Sequence, residues 1–146
     1  MDQVDEFRDR QTLRVDVFFY GLFMDETLLR EKGIDPQNRR LAFVENFSLV
    51  IGDRASLVPS EGSTVFGVVF SLTQSEVDDL YSEGSVKAYR PETVRAKLLD
   101  GSVMPVLCFN LPTPPTTDKR NVEYVAKLKD LASRLGLPPN YVSSIQ

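Results

Sequence analysis

Two separated sets of residues in this 146-residue chain have types and settings that suit chemistry. The first is Glu83, in Leu80-Tyr81-Ser82-Glu83-Gly84, between a helix-like segment and a strand-like run. A carboxylate beside glycine meets little steric obstruction and can face a pocket, and a partly desolvated carboxylate can take and return a proton near neutral pH. The plainer alternative is a solvated glutamate following a helix. The second is Val17-Phe18-Phe19-Tyr20-Gly21-Leu22-Phe23-Met24, an apolar run broken by glycine. Glycine there permits a turn that aims successive amides at one point, a concavity for a carboxylate or a developing oxyanion. The alternative is a tight turn and nothing more, and the run lacks the repeated glycines of a dinucleotide or phosphate loop. Tyr20, Tyr81 and Tyr89 are candidates for pocket walls or hydroxyl contacts, or for ordinary packing. Arg90 is a candidate partner for a substrate carboxylate, or a solvated residue before Pro91.

Composition narrows the chemistry. The chain has no histidine, which removes Ser-His-Asp and Cys-His catalysis and every histidine-dependent metal site. An all-carboxylate metal site stays open, but no calcium-loop spacing occurs, and no metal or cofactor is expected. Cys108 is the single cysteine, so no intrachain disulfide can form, and its strand-like setting predicts an unreactive buried thiol. A net charge of −4 argues against bulk attraction to nucleic acid or an anionic membrane. No apolar run approaches a membrane span, and the acidic N-terminal residues do not read as a signal sequence, so a cytoplasmic location is expected.

The elements that must position these residues can be read from periodicity. Residues 1–12 predict a flexible acidic arm, 13–111 a barrel domain, and 112–146 a proline linker with a C-terminal helix packed on the same domain. Strands are expected at 15–20, 41–51, 55–58, 65–72, 92–99 and 103–109, with turns at Gly52-Asp53, Glu61-Gly62 and Asp100-Gly101. Pro105 predicts an edge position or a bulge. Helices are expected at 25–30, after Thr73 through about 81, and from about 118 to 135. Thr73-Gln74-Ser75-Glu76 has the spacing of a capping box. In the last helix, Val122, Val125, Ala126, Leu128, Leu131, Ala132 and Leu135 form an apolar stripe, read as a docking face on the sheet or as a homodimer contact. Six strands and three helices in this order suit an α+β fold, a small mixed β-barrel with flanking helices.

The order of the short motifs, Tyr20-Gly21 after a strand, Val65 to Leu72, a helix, Glu83-Gly84 and then Tyr89-Arg90, resembles the gamma-glutamylcyclotransferase-like (AIG2-like) family over about residues 17–109. The resemblance implies a small mixed β-barrel and release of 5-oxoproline from γ-glutamyl compounds. It places Tyr20, Gly21, Leu22 and Phe23 in the loop that binds the glutamyl end, largely through backbone groups. It matches Glu83 to the catalytic glutamate and Tyr89 to a pocket aromatic. Family members commonly carry Ser and Asn after Tyr-Gly, where this chain has Leu22 and Phe23, so backbone donors are retained and a side-chain hydroxyl or amide is lost. Asp79-Leu80 also reverses the family's usual Leu-Asp order.

The expected function is therefore intramolecular aminolysis of a γ-glutamyl amine or γ-glutamyl amino acid, with Glu83 moving the protons. The expected partner is a small γ-glutamyl or amino-acid-like ligand. The alternatives are a non-catalytic small-ligand module of the same fold and a scaffold acting through the C-terminal stripe.

Overall fold

The computed structural model describes residues 13–118 and 120–146. The expected N-terminal arm falls outside the described residues. Five strands, β1 (Arg14–Phe19), β2 (Gln37–Ile51), β3 (Ala55–Thr73), β4 (Arg90–Leu98) and β5 (Val103–Asn110), close into a barrel in the order β1-β3-β2-β4-β5. Neighbours are antiparallel except at the seam, where β1 and β5 run parallel with Val17 opposite Leu107. Among the described residues four helices flank it: α1 (Glu26–Glu31), α2 (Gln74–Leu80), α3 (Val122–Leu135) and α4 (Pro139–Ser144). The protein is thus an α+β mixed barrel. No helix among the described residues is long and apolar enough to cross a membrane.

The alternation of inward and outward side chains builds the core. On β4, Val94 and Ala96 are buried while Thr93 and Arg95 are exposed. On β3, Val65, Val68, Val69, Phe70 and Leu72 are all buried, so the end of this strand is covered on both faces. Burial also pushes the Cys108 thiol up to about 12, helped by the nearby Glu92 charge, so it stays protonated and inert at neutral pH.

Several expected boundaries differ from those found. The separate strands at 55–58 and 65–72 are one strand, so the described residues hold five strands rather than six. Glu61-Gly62 does not reverse the chain. Residues Ser60 to Ser63 bulge opposite Asn46, where the register jumps from Glu45↔Thr64 to Phe47↔Pro59. Gly62 at φ +83° donates its N–H to Asn46 Oδ1 at 3.1 Å. β2 is long enough to pair on both sides of the bulge, and it begins at Gln37 rather than at 41. The C-terminal helix begins at 122, capped by the Asn121 side chain, rather than near 118. Pro138-Pro139, read as a stop, also opens α4, with Pro139 as its first residue.

The inward face of α3 differs from the expected stripe in an instructive way. Val122 and Ala126 are exposed, and the face turned to the barrel runs through Tyr124, Val125, Leu128, Leu131, Ala132 and Leu135. Those positions follow the 3.6-residue repeat more closely. Counting only aliphatic residues hid Tyr124, whose ring belongs to the buried side.

Gly67 shows how tightly β1 seats against β3. A Cβ at Gly67 would collide with the Phe19 carbonyl oxygen and press on the Phe18 ring. Gly67→Ala is expected to lower stability by about 1–3 kcal/mol through overpacking, read as a shifted denaturant midpoint. An unchanged midpoint would contradict this account of the β1 seam.

Candidate active site

The chain leaves β1 at Phe19 and enters a 3-10 turn over Leu22–Met24. Tyr20 is buried, and its hydroxyl donates to the Phe109 carbonyl at 2.7 Å, tying the end of β1 to the end of β5. Burial holds that phenol well above its ordinary pKa, so it is a neutral structural anchor. Gly21 has φ −115° and ψ −151°, an extended conformation, so the permissive turn expected from its identity is not its reason for being glycine. The reason is space. A Cβ there would overlap the Tyr124 hydroxyl, whereas the next ring atom, Cζ, stands at 3.7 Å. That hydroxyl accepts a hydrogen bond from the Leu22 N–H at 3.3 Å.

The opposite wall comes from α2 and the turns after it. The predicted capping box is present: the Thr73 hydroxyl accepts from Glu76 N–H at 3.1 Å, and the Glu76 carboxylate accepts from Thr73 N–H at 2.8 Å. The other Glu76 oxygen accepts from Asp35 N–H at 2.7 Å, which ties the start of α2 to the segment leaving α1. At the end of α2, Tyr81 stacks on Phe109 with ring centroids 3.9 Å apart. Turns closed by Ser82 N–H to Asp79 O, Val86 N–H to Glu83 O and Tyr89 N–H to Val86 O then carry Glu83 past the helix end.

These elements enclose a cavity of about 640 Å³. Tyr20, Gly21, Leu22, Phe23, Glu83 and Tyr89, the residues singled out from sequence, all line it. Phe23 meets Tyr81 edge to face at 6.0 Å, and Tyr89 donates its hydroxyl proton to the Ala55 carbonyl. Arg90 is not among the lining residues; its guanidinium caps the Lys87 and Tyr89 carbonyls at 2.7 and 3.0 Å, which satisfies it locally. Among the described residues, the cations that reach the cavity are Lys32, the cap residue of α1, and Arg54, in the β2–β3 turn. The Arg54 guanidinium lies 5.9 Å from the Tyr89 ring centroid.

Lys32 and Tyr124 are the additions that sequence reading did not supply. Lys32 Nζ contacts both Glu83 oxygens, at 3.0 and 2.9 Å. The Lys32 and Glu83 side chains are 27% and 44% exposed, so Glu83 is held by a cation at the cavity rim rather than sunk among apolar groups. Such a partly exposed pair contributes at most about 1 kcal/mol and opens readily. Burial pushes the Tyr124 phenol up to about 12, which keeps it protonated near neutral pH. With its oxygen accepting from Leu22, its proton is available to a ligand. Among the described residues, no group of three or more acidic or cysteine side chains converges as a metal site.

The family model for gamma-glutamyl cyclotransferase, AIG2-like, matches residues 17–127. The chain belongs to that family. Among curated proteins, no sequence matches. A solved structure described as a gamma-glutamyl cyclotransferase superposes with a TM-score of 0.77 at 19% identity, covering 91% of this chain and 88% of the other. An uncharacterised protein from Homo sapiens gives 0.71 at 20% identity over 91% and 88%. An AIG2-like protein from Mus musculus gives 0.56 at 17% identity over 86% and 84%. At these identities the superpositions establish the shared barrel fold.

The packing of Tyr124 on Gly21 generates a specific expectation. Gly21→Ala should cost about 1–3 kcal/mol by overpacking. Adding Tyr124→Phe removes the overlapping oxygen, so the two changes should couple by more than about 0.5 kcal/mol in a denaturation double-mutant cycle. Strict additivity would show that the hydroxyl does not occupy this space.

Proposed function

We propose that this protein cyclises a γ-glutamyl compound to 5-oxoproline by intramolecular aminolysis and releases an amine. The observation that supports this reading most is the shared cavity: Glu83 borders the same space as the Leu22 N–H and the Tyr124 hydroxyl. The α-nitrogen of the glutamyl group attacks its own γ-carbonyl carbon. A C–N bond forms to close the five-membered lactam, and the original C–N bond to the leaving amine breaks. An α-ammonium gives up two protons in becoming the lactam N–H, and the leaving nitrogen takes up two in departing as an ammonium. Glu83 carries these protons between two nitrogens that flank one carbon, so one carboxylate serves both ends.

The carbonyl oxygen gains negative charge as the nitrogen adds. In this reading the Tyr124 O–H donates to it, and the Leu22 N–H behind the phenol oxygen polarises that donor. Tyr124 thus supplies a hydroxyl where Leu22 and Phe23 supply none. The cavity walls fold the glutamyl chain so that nitrogen and carbonyl meet, an orientation effect that needs no added reagent.

A non-catalytic binding pocket is the competing reading, and one observation favours it: Lys32 occupies both oxygens of the proposed base. Turnover separates the two. On a panel of γ-glutamyl amines and γ-glutamyl dipeptides, the native chain is expected to release 5-oxoproline, and Glu83→Gln to lower kcat by about 10²-fold or more. Turnover untouched by Glu83→Gln would overturn the role of Glu83. Binding without product across the panel would favour the non-catalytic pocket.

A further inference from the structure

We infer that Lys32 is the anchor for the α-carboxylate of the glutamyl group, and that ligand enters by exchanging partners with the Lys32–Glu83 ion pair. The inference rests on the cyclisation reading for the identity of the ligand, a γ-amide with a free α-amino acid end. Lys32 and Glu83 come from the ends of different helical segments, 51 positions apart, yet their charged atoms meet at 2.9 and 3.0 Å on the wall of the cavity. A free α-amino acid end carries an ammonium and a carboxylate on one carbon. Two protein charges that receive both must stand side by side with opposite sign, as these do. Glu83 turns to the substrate nitrogen, whose protons it accepts, and Lys32 turns to the carboxylate. Each charge keeps a counter-charge throughout, so opening the pair strands neither.

The local structure supports such an exchange. Lys32 is the cap residue of α1, with its backbone N–H bonded to the Leu29 carbonyl. The segment that follows is fixed by Asp35 N–H on Glu76. The backbone is therefore held while the long side chain can swing at the partly exposed rim. Arg54 is the other cation on the cavity, but its guanidinium reaches the Ser85 carbonyl at 3.5 Å and lies near Tyr89. It does not touch Glu83, so one α-carbon is better matched to Lys32 and Glu83. Assigning the carboxylate to Lys32 also leaves the Tyr124 hydroxyl, backed by the Leu22 N–H, for the carbonyl oxygen.

The test uses ligands that are not turned over. Calorimetry would compare L-glutamate with its α-carboxamide, L-isoglutamine, which keep the α-ammonium and carry no γ-amide to cyclise, on the native chain, Lys32→Met, Lys32→Arg and Arg54→Met. A carboxylate–ammonium contact at this partly exposed rim predicts that the native chain prefers L-glutamate by about ten-fold. Lys32→Met should bring that ratio to about one, while Lys32→Arg and Arg54→Met keep most of it. A preference that persists in Lys32→Met, disappears instead in Arg54→Met, or is absent from the native chain would overturn the assignment. Failure of catalysis is read separately. A native chain that shows the Lys32-dependent preference but releases no product from the γ-glutamyl panel retains the anchor and loses the cyclisation.

Discussion

Strand β1 is the constraint on which the site depends. It is the strand that closes the barrel, antiparallel to β3 on one edge and parallel to β5 on the other. Its last residues cannot shift along either neighbour without disrupting the seam, and the missing side chain at Gly67 lets Phe19 lie close against β3. The Tyr20 hydroxyl then locks the exit of β1 to the exit of β5. The peptide groups that follow are thus delivered to the cavity by a strand paired on both edges. In the proposed reaction the Leu22 N–H must stay aligned with the Tyr124 oxygen, and a misplaced donor loses its value.

The second wall is built differently. Glu83 lies beyond α2 on successive turns, and its placement depends on the capping box, on Glu76 holding Asp35, and on Tyr81 stacked against Phe109. One side of the cavity is fixed by strand pairing, and the other by local caps and a ring stack. The carboxylate and Lys32 stand on this second, more adaptable side. That arrangement suits a step in which charges change partners while the opposing donors stay in place.

Much of this was legible in the chain because it is written in local patterns. Alternation marked the strands, and Thr73-Gln74-Ser75-Glu76 marked the start of α2. The order of Tyr20-Gly21 and Glu83-Gly84 pointed to residues that border one cavity. The rest was illegible for physical reasons. The bulge at Ser60 to Ser63 looks like a hairpin turn because the same residue types serve both. Gly21 reads as a conformational glycine, and only the position of Tyr124, 103 residues later, shows that it is a steric one. Tyr124 was visible in the 3.6-residue repeat of α3 but was hidden by treating tyrosine as outside the apolar face. Lys32 at a helix end reads as a solvated complement to the helix dipole, and Arg90 as the available cation beside the pocket aromatic. Neither sequence position reveals that Lys32 reaches Glu83 while Arg90 turns back on its own carbonyls.

The central claim is that a glutamyl-derived ring fits between the Leu22 amide and Glu83. The most direct measurement is a titration of the 15N-labelled chain with 5-oxoproline, followed by amide chemical shifts. The account predicts saturable shifts at Leu22, Phe23, Glu83 and Gly84 together. Shifts confined to the separate polar cavity beside Arg120 and Ser144, or no saturable shift at all, would contradict it.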